Sequence, residues 1–356
     1  MKKEKLIVSI SGAVIGVIAV CLVIFGNPAN MGFCIACFLR DTAGALKLHQ
    51  AAPVQYMRPE IIGLILGAAI MAFSKKELVA RAGSNPAVRF VLGFFVMVGA
   101  LMFLGCPLRM MLRIGGGDIN AIIGLVGFVL GIGCGIFALN QGFSLDRSYK
   151  VTLSESYVFL AIQIAFLVVL CAIPSIIMFS EEGPGSMHAP IIISLIAGLV
   201  VGGICQRTRF CTVAGIRDSF MFKDFTLLFG FITLIVACVV MNLIVGKFNF
   251  AMESQPIAHT DALWNLLGML LVGFASVLLG GCPLRQLILS GEGNIDSVVT
   301  VIGMTVGAAF CHNFGLASSG EGPTANGRIA VIFGIIVCLI IACVNIANNK
   351  KKAGEM

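Results

Sequence analysis

The five residues Gly105, Cys106, Pro107, Leu108 and Arg109 recur unchanged as Gly281, Cys282, Pro283, Leu284 and Arg285, 176 positions further on. Each copy closes an apolar run. Proline is favoured at the first position of a helix, where its missing N–H would have no partner anyway. Both copies therefore predict a short helix, with Cys106 and Cys282 as N-caps. A helix start offers free backbone N–H groups and a partial positive charge, which suits an anion. Arg109 and Arg285 follow three residues after each cysteine and add full positive charge. A neutral thiol is a weak donor that matches a soft, polarizable atom such as a terminal sulfur or selenium.

A second motif repeats in step with the first. Residues 32–41, "GFCIACFLRD", lie over 209–218, "RFCTVAGIRD", at an offset of 177, and 105–120 lie over 281–296 at an offset of 176. Cys34 and Cys211 thus join Cys106 and Cys282 as recurring thiols. Cys37 and Cys205 are local additions, because Ala214 and Pro28 stand at their counterparts. Cys21, Cys134, Cys171, Cys238, Cys338 and Cys343 lie in plain apolar runs and read as packing.

Three chemistries fit such a group. Thiolates bind soft metals, yet the chain has four histidines and none lies close to these motifs, so no metal site is expected. Cys34 and Cys37 form a CxxC that can cycle between dithiol and disulfide, as a membrane thiol oxidoreductase requires. Neutral thiols lining an anion path use everything at once: helix starts, arginines and S–H groups. Helix starts favour the thiolate, which would repel an anion, whereas burial and a bound anion favour the thiol. Oxidoreductase and soft-metal passage remain the alternatives. A plainer reading of Arg109 and Arg285 places them near headgroups or pairs them with Asp41 and Asp218.

These residues must be held in a bilayer. Of the 356 residues 58% are apolar and 12% charged, about half the charge of a typical globular chain. Apolar runs near the roughly 20 residues that cross a hydrocarbon core recur at 6–25, 59–73, 87–105, 119–139, 156–179, 190–204, 225–246, 262–281, 296–315 and 328–347, those at 59–73 and 190–204 being short. The expected architecture is an all-α polytopic bundle with short re-entrant half-helices at the motifs. The first run follows a basic start and leads straight into another apolar segment, so it reads as a retained helix rather than a cleaved signal.

With the N-terminus in the cytoplasm, 17 of the 24 basic residues fall inside; Arg40, Lys47, Arg58, Arg109, Arg113, Lys247 and Arg328 fall outside. That excess satisfies the positive-inside rule with both termini cytoplasmic. The net charge of +7 therefore needs no nucleic-acid partner. Five spans per repeat force the second copy to enter from the opposite side, so the repeats, divided as 1–150 and 151–356, are expected to be inverted. Cys34 and Cys106 then open outward, Cys211 and Cys282 inward. Inverted repeats with broken helices point to a transporter with its site between the repeats. The glycines Gly115 to Gly117, Gly291 and Gly293 are expected to let backbone approach the path or, equally, to turn the chain at helix ends.

In these motifs, together with "GGGDIN", "GEGNID", the opening "GNPANMGFCIACFLRD" and the closing "GEGPTANG", the chain resembles the YeeE/YedE family of bacterial sulfur-transport membrane proteins over nearly its whole length. The CxxC looks most like the selenium-linked members. The resemblance implies a multi-pass protein of the bacterial inner membrane, no enzyme and without a cofactor, that imports a small inorganic sulfur or selenium anion, thiosulfate being the known cargo of one branch. It implies that Cys34, Cys106, Cys211 and Cys282 hand the ion along by S–H contacts. Cys37 departs from the simplest pattern of the family and is counted with the path here, and Arg109 and Arg285 are expected to offset the charge of the ion. A cytoplasmic sulfurtransferase or selenium carrier is the partner expected to receive it.

Overall fold

The computed structural model describes residues 2–145 and 148–354. Arg147, counted above on the cytoplasmic side, lies outside the described residues. Fourteen α-helices account for nearly all of the regular structure. They are α1 (Lys2–Ile24), α2 (Ile35–Ala45), α3 (Pro59–Ser74), α4 (Pro86–Phe103), α5 (Pro107–Gly115), α6 (Ile119–Asn140) and α7 (Leu153–Ala172), then α8 (Ile191–Thr208), α9 (Thr212–Met221), α10 (Thr226–Val245), α11 (Ala262–Leu278), α12 (Pro283–Gly291), α13 (Ile295–Asn313) and α14 (Ala325–Gly354). Strands β1 (Arg81–Ala82) and β2 (Tyr149–Lys150) form one small antiparallel pair.

Ten helical segments are long and apolar enough to cross a membrane, and each falls on an expected run. The short runs at 59–73 and 190–204 are among them, because the first segment reaches back to Ala52 and the second takes in Gln206, Arg207 and Thr208 of α8. Expected span 156–179 stops at Ala172, since Pro174 lacks the N–H that would continue it. The order of long and short helices starts again at α8. Helices α1–α7 and α8–α14 thus make two sets of seven in the same order.

The two sets of seven interlock. Gly12 and Gly16 of α1 pack on Gly230 and Leu234 of α10, and Gly63 and Gly67 of α3 on Leu195 and Leu199 of α8; a methyl at any of the four would stand under 3.0 Å from a backbone oxygen. Without a hydrophobic drive between helices in lipid, close packing of small residues is what holds such pairs. Gly127 and Gly131 bring α6 onto α11, and Gly303 and Gly307 bring α13 onto α4. Every one of these pairs joins a helix of the first set to a helix of the second.

The central pair is α4 with α11, packed where Gly99 meets Gly268. Arg89, near the start of α4, donates to the carbonyl of Leu279 just past the end of α11, so these equivalent helices run antiparallel. Outward faces carry exposed apolar side chains such as Phe137, Ile192 and Ile244, as lipid contact requires.

Candidate functional site

Each of the four recurring cysteines is the N-cap of a short helix: Cys34 of α2, Cys106 of α5, Cys211 of α9 and Cys282 of α12. The proline signal revealed two of these caps. Cys34 and Cys211 cap their helices without a following proline, and only their match to each other flagged them. All four have extended backbone and are buried, at most 2% exposed.

The cysteines meet in pairs. At the start of α2 the Ile35 N–H donates to Cys106 Sγ at 3.2 Å and the Cys37 N–H to Cys34 Sγ at 3.3 Å, so one helix start serves two sulfurs. In the second half the N–H groups of Cys282 and Ala214 both donate to Cys211 Sγ at 3.5 Å. Cys37 lies within the first pair, its thiol 3.9 Å from the Leu104 carbonyl. Cys205 lies within electrostatic reach of Cys282 and Arg285.

The two pairs do not form one cluster. The first follows the C-terminal end of α4 and the second the C-terminal end of α11, and these helices are antiparallel, so the pairs occupy opposite ends of the central helix pair. The four cysteines thus form two stations, one pair per half.

The arginines explain the glycine that precedes each cysteine. The Arg109 stem lies across Gly105 and the Arg285 stem across Gly281, where an added Cβ would stand 3.0 Å from the nearest stem carbon. Arg109 is fully buried. It donates to the carbonyls of Leu104, Asn30 (3.3 Å), Pro256 (3.4 Å) and Ile257 (3.2 Å), and its Nη1 is 3.7 Å from Cys37 Sγ. No carboxylate among the described residues lies within ion-pair distance of it. Arg285 instead pairs with Glu292 at 2.8 Å. Neither arginine uses the expected aspartates: Asp41 holds Arg40 at 2.7 Å and Arg58 at 2.8 Å, and Asp218 holds Arg217.

Three features of the site escaped the sequence reading. The 247–261 segment of the second half covers the first station, through Arg109 and through His259, whose Nε2 donates to the Met102 carbonyl at 2.8 Å while its Nδ1 accepts from the Asp261 N–H. Burial holds the His259 imidazole below its ordinary pKa and so neutral. Arg113, one turn past Arg109, is buried against Asp118 at 2.6 Å and over the Phe103 ring. Its i+4 spacing from Arg109 was the signal. Glu292 is the third, legible only as the acidic residue that replaces Gly116 of the first copy.

Two expectations need correcting. Arg40, Arg58, Arg109, Arg113 and Arg285 are buried and bonded inside the protein, so they do not act as loop charges in the orientation tally. Without them, the tally keeps 16 of the basic residues expected inside and three of those expected outside. The expected path glycines serve elsewhere: Gly115 packs on Cys238 of α10, Gly291 on the Ile65 carbonyl of α3, and Gly117 and Gly293 turn the chain at φ of 93° and 98°.

Residues 207–348 match the family described as sulphur transport. The chain is 29% identical over 163 residues to the thiosulfate transporter TsuA of Escherichia coli (strain K12), an alignment that takes in 44% of this chain and 45% of that protein. The chain thus matches a little under half of that relative's length. The sulphur-transport match takes in both second-half motifs, with Cys211 and Cys282 at their helix starts, whose first-half copies form the other station.

Proposed function

We propose that the protein carries a small sulfur oxyanion of the thiosulfate class across the bacterial cytoplasmic membrane, from the Cys34–Cys106 station outside to the Cys211–Cys282 station inside. The observation that carries this reading is the capping of four short helices by four recurring cysteines that meet in two pairs, each followed by a buried arginine. An arginine at mid-bilayer costs on the order of 3 kcal/mol and is usually paired or functional. Arg109 spends its hydrogen bonds on carbonyls and on Cys37 Sγ, with no carboxylate partner among the described residues, so its charge is left to attract an anion. Helix starts hold the charged oxygens, and the thiols meet the soft terminal sulfur. No bond need be made or broken.

A relative 29% identical over 163 residues is a thiosulfate transporter, which supports the cargo class. The antiparallel run of equivalent helices α4 and α11 supports reading the halves as inverted copies that open to opposite faces. The corrected charge tally supports cytoplasmic termini. A selenium analogue of the same shape, such as selenosulfate, fits the same contacts. The inner station would pass the ion to a cytoplasmic sulfurtransferase or selenium carrier.

Uptake of radiolabelled thiosulfate into proteoliposomes tests the reading. Wild type is expected to accumulate label down its gradient, and Cys106→Ala or Cys282→Ala to lose about tenfold or more, the worth of a hydrogen bond to a charged partner, with melting temperature nearly kept. Equal uptake by all three proteins, or none by wild type, contradicts it.

A further inference from the structure

The two stations share their cysteines, their helix starts and their arginines, yet they differ in charge. At the first, Arg109 is bonded to carbonyls and to Cys37 Sγ, and to no carboxylate among the described residues. Its neighbour Arg113 is matched by Asp118, which leaves one whole positive charge beside Cys37. At the second, Arg285 sits in the equivalent place, and Glu292 takes its guanidinium through two oxygens, at 2.8 Å to Nη1 and 3.5 Å to Nη2. A fork of this kind satisfies both partners in geometry and in charge. The position equivalent to Glu292 in the first copy is Gly116, which has no side chain to offer. The two stations therefore cannot hold an anion equally.

We propose that Glu292 is a positioning residue that weakens the inner station's hold on the anion. It competes for Arg285, so that the ion captured at Arg109 is released at the inner face. This rests on the transport reading above. An ion arriving beside Cys282 finds a guanidinium already neutralised; to gain that charge it must displace the carboxylate, and on leaving it hands Arg285 back. Both members of the pair are only partly exposed, 10% for Arg285 and 16% for Glu292, so water screens the competition weakly. The neutral groups of the inner station support the same division of labour. Gln286, which stands where the first copy has Met110, spends its Nε2 on the Leu279 and Gly281 carbonyls and leaves its Oε1 buried without a partner. That oxygen only accepts hydrogen bonds and so offers an anion nothing. Unequal stations do not drive net transport, which still follows the gradient. They set the concentration at which each face half-saturates and the rate at which the inner face empties.

The experiment uses the whole protein in proteoliposomes of known orientation and measures the half-saturating thiosulfate concentration from each face, for wild type, Glu292→Gln and Glu292→Asp. Wild type is expected to half-saturate at lower concentration from the outer face than from the inner. Glu292→Gln is expected to tighten the inner face by about tenfold, the size of one hydrogen bond to a charged group, and to slow turnover, with the outer face unchanged. Glu292→Asp, whose shorter arm loosens the fork, is expected to move the inner face the same way by less, and it carries the test if the glutamine variant fails to fold. Folded variants whose inner face does not shift, or whose two faces shift together, overturn the proposal while leaving transport intact. Absence of wild-type uptake overturns the transport reading itself and the proposal with it.

Discussion

The two copies of the Arg-Asp sequence that follows the first cysteine of each half use the same letters in opposite surroundings. Asp41 is fully buried between Arg40 and Arg58, and Arg58 goes on to donate to the carbonyls of Pro184 and Met187, just before α8. Asp218 meets only Arg217, and both remain about a quarter exposed, at 24% and 23%. The first copy is a clamp that ties α2 to α3 and to the second half; the second is a surface pair near the end of α9. A repeated motif therefore marks a repeated backbone shape, here a cysteine-capped short helix, and does not guarantee that its charged residues keep one role.

That contrast can be broken by matched substitutions. Asp41→Asn strands two buried guanidinium groups and is expected to destabilise the protein by about 3–5 kcal/mol, the cost of breaking a buried pair from one side. Asp218→Asn removes a partly solvated pair and is expected to cost below about 1 kcal/mol. Thermal unfolding of the two variants in the same detergent checks this, and equal losses would mean that the clamp is no clamp.

Acid sharpens the contrast by a smaller effect. His49 and His259 share one arrangement: Nε2 donates to a carbonyl, of Arg40 and of Met102, while Nδ1 accepts a backbone N–H, of Ala51 and of Asp261. Burial lowers the pKa of both. The folded state thus binds fewer protons than the unfolded chain, so their contribution is complete above the ordinary imidazole value of about 6.5 and fades as pH falls through it. The segments around both histidines, 46–58 and 247–261, are expected to exchange backbone hydrogens faster at pH 5 than at pH 7 after correction for intrinsic rates. The turns at 75–85 are expected to hold steady. Uniform change across the protein would contradict this placement.

Much of this architecture was legible because a bilayer leaves little choice. Long apolar runs must be helices there, and a proline after a cysteine must start one, which placed α5 and α12 to the residue. The repeat offset then delivered Cys34 and Cys211. What stayed hidden depends on tertiary contact. Nothing local to Arg109 says that Pro256 and Ile257 would offer it carbonyls from the other half, or that Asp41 would choose Arg58, 17 residues away, over Arg109. The arrangement as two stations was equally hidden, because it follows from the antiparallel packing of α4 on α11, and the glycines that set that contact, Gly99 and Gly268, look like any others in an apolar run.

The most direct test of the account is a crystal of the protein soaked with selenosulfate, with the selenium located by its anomalous signal. The account predicts selenium beside Cys34 and Cys106, with the oxyanion end toward Arg109, and a weaker second position beside Cys282. Selenium bound only on the lipid-facing or loop surfaces, with both cysteine pairs bare, would contradict it.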